Sequence, residues 1–133
     1  MQETIERLRE VSLSVPVPVE LPDDDDLVVI EEEILLPMPR DLKTFLKEVS
    51  DVVYGSIEPV TASDPYLHTH LPEVTATAWS EGVERHLIVI CADSGTYYCM
   101  TPEGEVVHWV DGELTEGSWQ DIWQWAREVW LES

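Results

Sequence analysis

His68 and His70, two residues apart, are the first pair in this sequence whose chemistry could hold a metal ion. Ligand pairs at that spacing occur on strands, but no Cys or carboxylate nearby completes a recognisable set, so no metal is expected. Cys91 and Cys99 fit no zinc spacing and are too few for a disulfide framework. A hairpin would place them on facing strands, where a bridge is sterically conceivable; the expectation is two reduced, buried thiols acting as small apolar residues. His86 and His108 stand alone, and a lone strand histidine is usually structural. The chain has no Gly-x-Ser-x-Gly elbow, no Gly-rich phosphate loop and no His-Glu-x-x-His. Asp93 or His108 could serve a hydrolase, since acid and base need only meet in space, but nothing in the sequence supports it. The expectation is a protein without catalysis and without a cofactor.

Charge is the stronger signal. Twenty-eight Asp and Glu face only seven Lys and Arg, a net charge of −21. Binding nucleic acid requires cations that neutralise phosphates, so that class is excluded, and docking on an anionic membrane is disfavoured. What remains favourable is a basic protein partner. The carboxylates available for it are Asp23, Asp24, Asp25 and Asp26, then Glu31, Glu32 and Glu33, with Asp93, Glu103, Glu105, Asp111, Glu113 and Glu116 beyond. The bland alternative is a solvated acidic surface kept for solubility. Exposed carboxylates would steer and orient, whereas affinity would come from a few desolvated anchors. Aromatic residues suit that role. Trp79, Trp109, Trp119, Trp123 and Trp130 fall on apolar faces and read as core. Trp125, at the core margin or exposed, and Tyr97 or Tyr98 are the aromatics expected at the surface, where they would meet Arg through cation–π contacts.

The elements that must position these groups fit one domain of 133 residues, and 44% hydrophobic residues argue against disorder. Residues 1–22 form an N-terminal helix, with Ile5 and Leu8 on one side, followed by a proline-rich arm, Val15-Pro16-Val17-Pro18-Val19. Alternating proline favours an extended segment, and 12–22 is either an arm across the body or a linker. The body spans 23–133. Residues 27–35 combine β-branched types, which favour a strand, with Leu27, Ile30 and Ile34 at helical spacing; the reading is a helix with the aspartates at its start. Pro39 suits a first helical position, ahead of a stripe formed by Leu42, Phe45, Leu46, Val49 and Val53. Residues 56–61 suggest a strand, and Pro72 to Gly82 brackets a helix. Three strands then form an antiparallel meander: Leu87 to Cys91, Thr96 to Met100 and Glu105 to Val110, with turns at Asp93-Ser94-Gly95 and Pro102-Glu103-Gly104. Ser118 with Asp121 resembles a capping box opening a last helix, whose apolar face carries Trp119, Ile122, Trp123, Ala126, Val129 and Trp130. Trp125 falls about 120° from Trp119 on that wheel.

The segment from Glu31 to Leu46, Glu-Glu-Glu-Ile-Leu-Leu-Pro-Met-Pro-Arg-Asp-Leu-Lys-Thr-Phe-Leu, resembles the signature of the SUKH superfamily, the Smi/Knr type. There a glutamate ends one helix, and a Leu-Pro pair with a following acid, Lys and Phe-Leu opens the next. Met38-Pro39 stands for Leu-Pro, and Glu31 is the best-spaced glutamate. Leu87 to Tyr98 is similar to the family's apolar strand, Asp/Gly turn and aromatic strand, and Gly104 to Trp109 to its Gly-x-Val-x-x-Trp strand. The turn Asp93-Ser94-Gly95 has fewer glycines than is usual, and the arm at 12–22 lies outside the pattern. The resemblance implies an α+β fold, a single domain with helices packed against a curved antiparallel sheet. It also implies that many bacterial members are immunity proteins, which bind and neutralise a toxin, often a nuclease or deaminase, encoded by a neighbouring gene. The expectation is therefore a non-enzymatic immunity protein blocking a basic toxin, a monomer or weak homodimer. The alternative is a regulatory scaffold of the Smi/Knr type. The start Met1-Gln2-Glu3-Thr4-Ile5-Glu6 lacks the basic residues and apolar run of a secretory signal, and the expected location is the cytoplasm.

Overall fold

In the computed structural model, which describes all 133 residues, four helices precede a four-stranded sheet and a fifth closes the chain. They are α1 (Gln2–Val11), α2 (Asp24–Ile34), α3 (Arg40–Val49), α4 (Leu71–Glu81), β1 (Ile88–Asp93), β2 (Thr96–Met100), β3 (Val106–Val110), β4 (Glu113–Trp119) and α5 (Ile122–Trp125). The strands run antiparallel in the order β1-β2-β3-β4, an open meander. Thirty-two buried apolar residues join in one cluster, which makes this a single α+β domain.

Sequence rules account for most of the elements. Asp23 caps α2 by accepting the Asp26 N–H at 2.8 Å, and Asp26 returns the bond to the Asp23 N–H at 3.0 Å. A reciprocal cap of this kind is worth about 1 kcal/mol. Helical spacing outweighs β-branching in α2 because Leu27, Ile30 and Ile34 all reach the core. In α3 the stripe Leu42, Phe45, Leu46 and Val49 is fully buried, each side chain contributing about 1.5–3 kcal/mol. Val53 lies beyond the helix and is exposed. The arm at 12–22 is extended over the body: Leu13 donates its N–H to the Val53 carbonyl, and Ser63 donates its hydroxyl to the Glu20 carbonyl.

Three expectations need correction. Residues 56–61 do not form a strand; they touch β1 through one bridge, Pro59 to Cys91, and α4's start through another, Thr61 to His70. The meander gains a fourth strand, because Glu113–Trp119 pairs back on β3 from the turn Asp111-Gly112. Trp119 and Ser118 therefore belong to β4. The helix begins later, capped by Asp121, whose carboxylate accepts the Gln124 N–H at 2.8 Å. Counted from Ile122, Trp125 sits at i+3 and Ala126 at i+4, so Trp125 turns inward and is completely buried. After Trp125 the backbone widens into a π-turn, Ala126–Trp130, with the Leu131 N–H reaching the Ala126 carbonyl at 2.8 Å. That turn brings Trp130 beside Phe45 as well, with ring centroids 5.7 Å apart.

The sheet is covered on both faces. Tyr97 and Trp109 are cross-strand partners facing the end of α4. Tyr98 and His108 point the other way, towards Trp119 and Trp125. Bulges in β1 and β4 interrupt the register, and bulges bend a sheet. No helix is long and apolar enough to cross a membrane.

Candidate functional site

The carboxylates singled out by sequence fall in four places: α2, the β2–β3 turn, the end of β1, and the β3–β4 turn with β4, where Asp111, Glu113 and Glu116 are exposed. At the start of α2, Asp23 and Asp26 cap each other and Asp24 meets the Lys47 ammonium at 2.6 Å. That hydrogen bond and the charge beside it hold the Asp24 carboxyl below its ordinary range and raise Lys47. Only Asp25 of the four has no such partner, and it is exposed. Further along α2, Glu31 accepts the Met38 N–H at 2.7 Å and lies 3.7 Å from Lys43, tying the α2–α3 turn together. Glu32 and Glu33 point into solvent. At the β2–β3 turn Glu103 and Glu105 are exposed too.

Two aromatic expectations are overturned. Trp125 is sealed between Phe45, Tyr98 and Trp130. Tyr97 is 6% exposed and donates its hydroxyl to the Glu81 carboxylate, and burial with that neighbour pushes the phenol up to about 12. Tyr98 is half-buried, stacked on His108 with centroids 4.1 Å apart and 7° between planes. Burial lowers the His108 ring from its ordinary 6.5, against an opposing pull from Asp93. Cys91 and Cys99 are free, buried thiols pushed up to about 12 by desolvation.

Asp93, the third place, belongs to the main concave feature. Adjoining open depressions meet at residues 67–69 and run from the arm to the end of β1. Their walls carry the carboxylates of Glu20, Asp51, Glu58, Asp64, Glu73 and Asp93, and no Lys or Arg. Asp51 is neutralised by Arg9 from outside the groove. His68 is exposed and sits 2.5 Å from Glu58. His70 is buried at the start of α4, so the two histidines do not converge, and no group of three or more His, Cys, Asp or Glu is placed to hold a metal. Tyr66, 95% exposed, stands on the neighbouring loop, its N–H bonded to the Asp64 carboxylate at 2.9 Å. Sequence reading missed Glu20, Asp51, Glu58, Asp64, Tyr66 and Glu73. The one local signal was the turn Ser63-Asp64-Pro65-Tyr66, which sets an aromatic at a loop tip.

Helices laid over an open four-stranded antiparallel meander make an α+β fold consistent with the Smi/Knr type. The chain belongs to that family: the family model described as SUKH_5, SMI1-KNR4 cell-wall, matches residues 1–131. The chain is also similar to a solved structure described as the crystal structure of a protein from Pseudomonas syringae pv. tomato, with 56% identity over 100% of both chains and a TM-score of 0.97. A comparison with curated proteins finds no match.

Proposed function

We propose that this protein is a non-enzymatic, cytoplasmic immunity protein that binds a basic toxin domain and covers its substrate-binding face. The observation that supports this reading is the groove: carboxylates from the arm, the 56–69 loops, α4 and β1 line a run of adjoining depressions with no Lys or Arg among them. A nuclease-type toxin must present Lys and Arg to phosphates, and such a surface complements this one. Tyr66 offers a ring face to a guanidinium at the groove's margin.

The test is co-production with the protein encoded by the adjacent gene, scoring growth rescue and co-purification. Association should slow at least tenfold between about 50 and 300 mM salt, because steering by exposed charge is screened over a Debye length. The triple variant Glu58→Gln, Glu73→Gln, Asp93→Asn should lower the association rate with little change in dissociation. An association rate indifferent to salt and to these substitutions would refute the reading.

A further inference from the structure

We propose that the outer flank of α2, with the turn after it, is a second docking surface, and that it seats a basic amphipathic helix of a protein partner. Leu35, the residue after α2, has φ 59° and ψ 33°, the left-handed region that suits Gly or Asn, and it is 86% exposed. The same chain shows the ordinary solution at α4, where Gly82 takes that position and donates its N–H to the Ala78 and Trp79 carbonyls. The left-handed backbone at Leu35 ends α2, but a leucine there carries strain that glycine would avoid while its side chain touches almost nothing, so the choice of leucine does not serve the fold. Val28 and Val29 repeat the pattern: both are half-exposed, and both are β-branched residues that a solvent-facing helix position does not favour.

The surroundings indicate what would cover this flank. Val28 and Leu35 are seven residues apart, about 10 Å along the helix, the span that two turns of a packed helix cover. Beside them Leu36 and Pro37 border an apolar depression shared with Ile88 and Pro102. Exposed carboxylates are interspersed with these side chains: on the helical wheel Asp25 and Glu32 fall between Val28 and Val29, Glu33 lies just beyond Val29, and Glu103 is next to Pro102. The ammonium groups of Lys43 and Lys47 are engaged by Glu31 and Asp24, and the one exposed guanidinium beside the depression is Arg40, which follows Pro39. Exposed apolar side chains interleaved with carboxylates match a helix whose leucines are flanked by Lys and Arg. A second copy of this chain would set the same carboxylates against one another. The surface lies by the start of β1, roughly 17 Å along the strand from the groove at its end, and does not rest on the immunity reading.

The experiment uses the full chain and two synthetic helical peptides of about 18 residues, one of Leu and Lys with leucines at i, i+3, i+4 and i+7, the other with Ser replacing Leu. Calorimetry gives affinity and NMR maps the contact. The Leu/Lys peptide should shift the amides of Val28, Glu32 and Leu35, and Leu35→Gly should weaken it about tenfold or more without lowering the thermal midpoint. Glu32→Lys with Glu33→Lys should weaken it too, and the Ser/Lys peptide should bind far less. Unchanged affinity in Leu35→Gly, shifts centred on Glu58 and Asp93, or dimerisation through α2 in sedimentation would each overturn the proposal. A lower thermal midpoint for Leu35→Gly would overturn it as well, by showing that Leu35 serves the fold.

Discussion

Replacing Glu31 separates a strut from a contact. Its carboxylate accepts the Met38 N–H at 2.7 Å, and Met38 itself is 5% exposed, so the donor has little access to water once the acceptor is gone. A hydrogen bond to a charged group is worth roughly 1.5–3 kcal/mol, and a stranded donor costs a similar amount. The Lys43 pair, at 3.7 Å with 44% of the lysine side chain exposed, adds well under about 1 kcal/mol. Glu31→Ala should therefore destabilise by about 2 kcal/mol, and Glu31→Gln, which keeps an acceptor, by about 1 kcal/mol. For a chain of this length 2 kcal/mol corresponds to a thermal midpoint lower by about 7 °C. Urea and thermal unfolding followed by circular dichroism at pH 7 measure both variants. If Glu31→Ala unfolds within about 0.5 kcal/mol of the parent while partner affinity drops, the carboxylate is a contact and the strut argument is wrong.

Trp125→Ala should cost about 3–5 kcal/mol in urea unfolding, because a large side chain leaves a cavity between Phe45, Tyr98 and Trp130; a value under about 0.5 kcal/mol would return the residue to the surface. His108 should titrate below 6.5 by NMR, since burial disfavours its charged ring. The unfolded chain then binds more protons between the folded midpoint and 6.5, so stability rises with pH through that window and is flat above it; His108→Gln should flatten the slope. A midpoint above 6.5 would mean that Asp93 outweighs burial.

Helical elements were legible because each advertises itself locally. The α3 stripe repeats at three and four residues, and α2 begins at a capping aspartate. β4 was not legible: Glu113-Leu114-Thr115-Glu116-Gly117-Ser118-Trp119 carries little apolar alternation, since an edge strand with exposed side chains buries little. Missing it displaced the last helix by a turn and put Trp125 on the wrong side of its wheel. Tyr97 was misplaced for a different reason. Alternation along a strand separates two faces, but with α4 over one and α5 over the other neither face is solvent. The groove was out of reach because its carboxylates come from positions 20 to 93 and only the fold brings them together.

The placement of the seven cations decides whether a net charge of −21 is a diffuse coat or a directed field. Arg9, Lys43 and Lys47 pair with Asp51, Glu31 and Asp24, all across contacts that tie α1 to α3 or α2 to α3. Arg85 lies over the Trp79 ring and Arg127 donates to the Thr4 hydroxyl, so these two also bind pieces of the frame together. Arg7, beside Glu10 of its own helix, and Arg40 are exposed. Five of the seven cations thus hold the frame together, and none lies on the groove walls, where Glu58, Glu73 and Asp93 stand without a Lys or Arg. Solubility alone would be met as well by dispersing carboxylates over the whole surface. A concave wall of one sign instead focuses its field outward. It gains stabilisation only when a surface of opposite sign arrives, which is why the groove, rather than the total charge, carries the case for a basic partner.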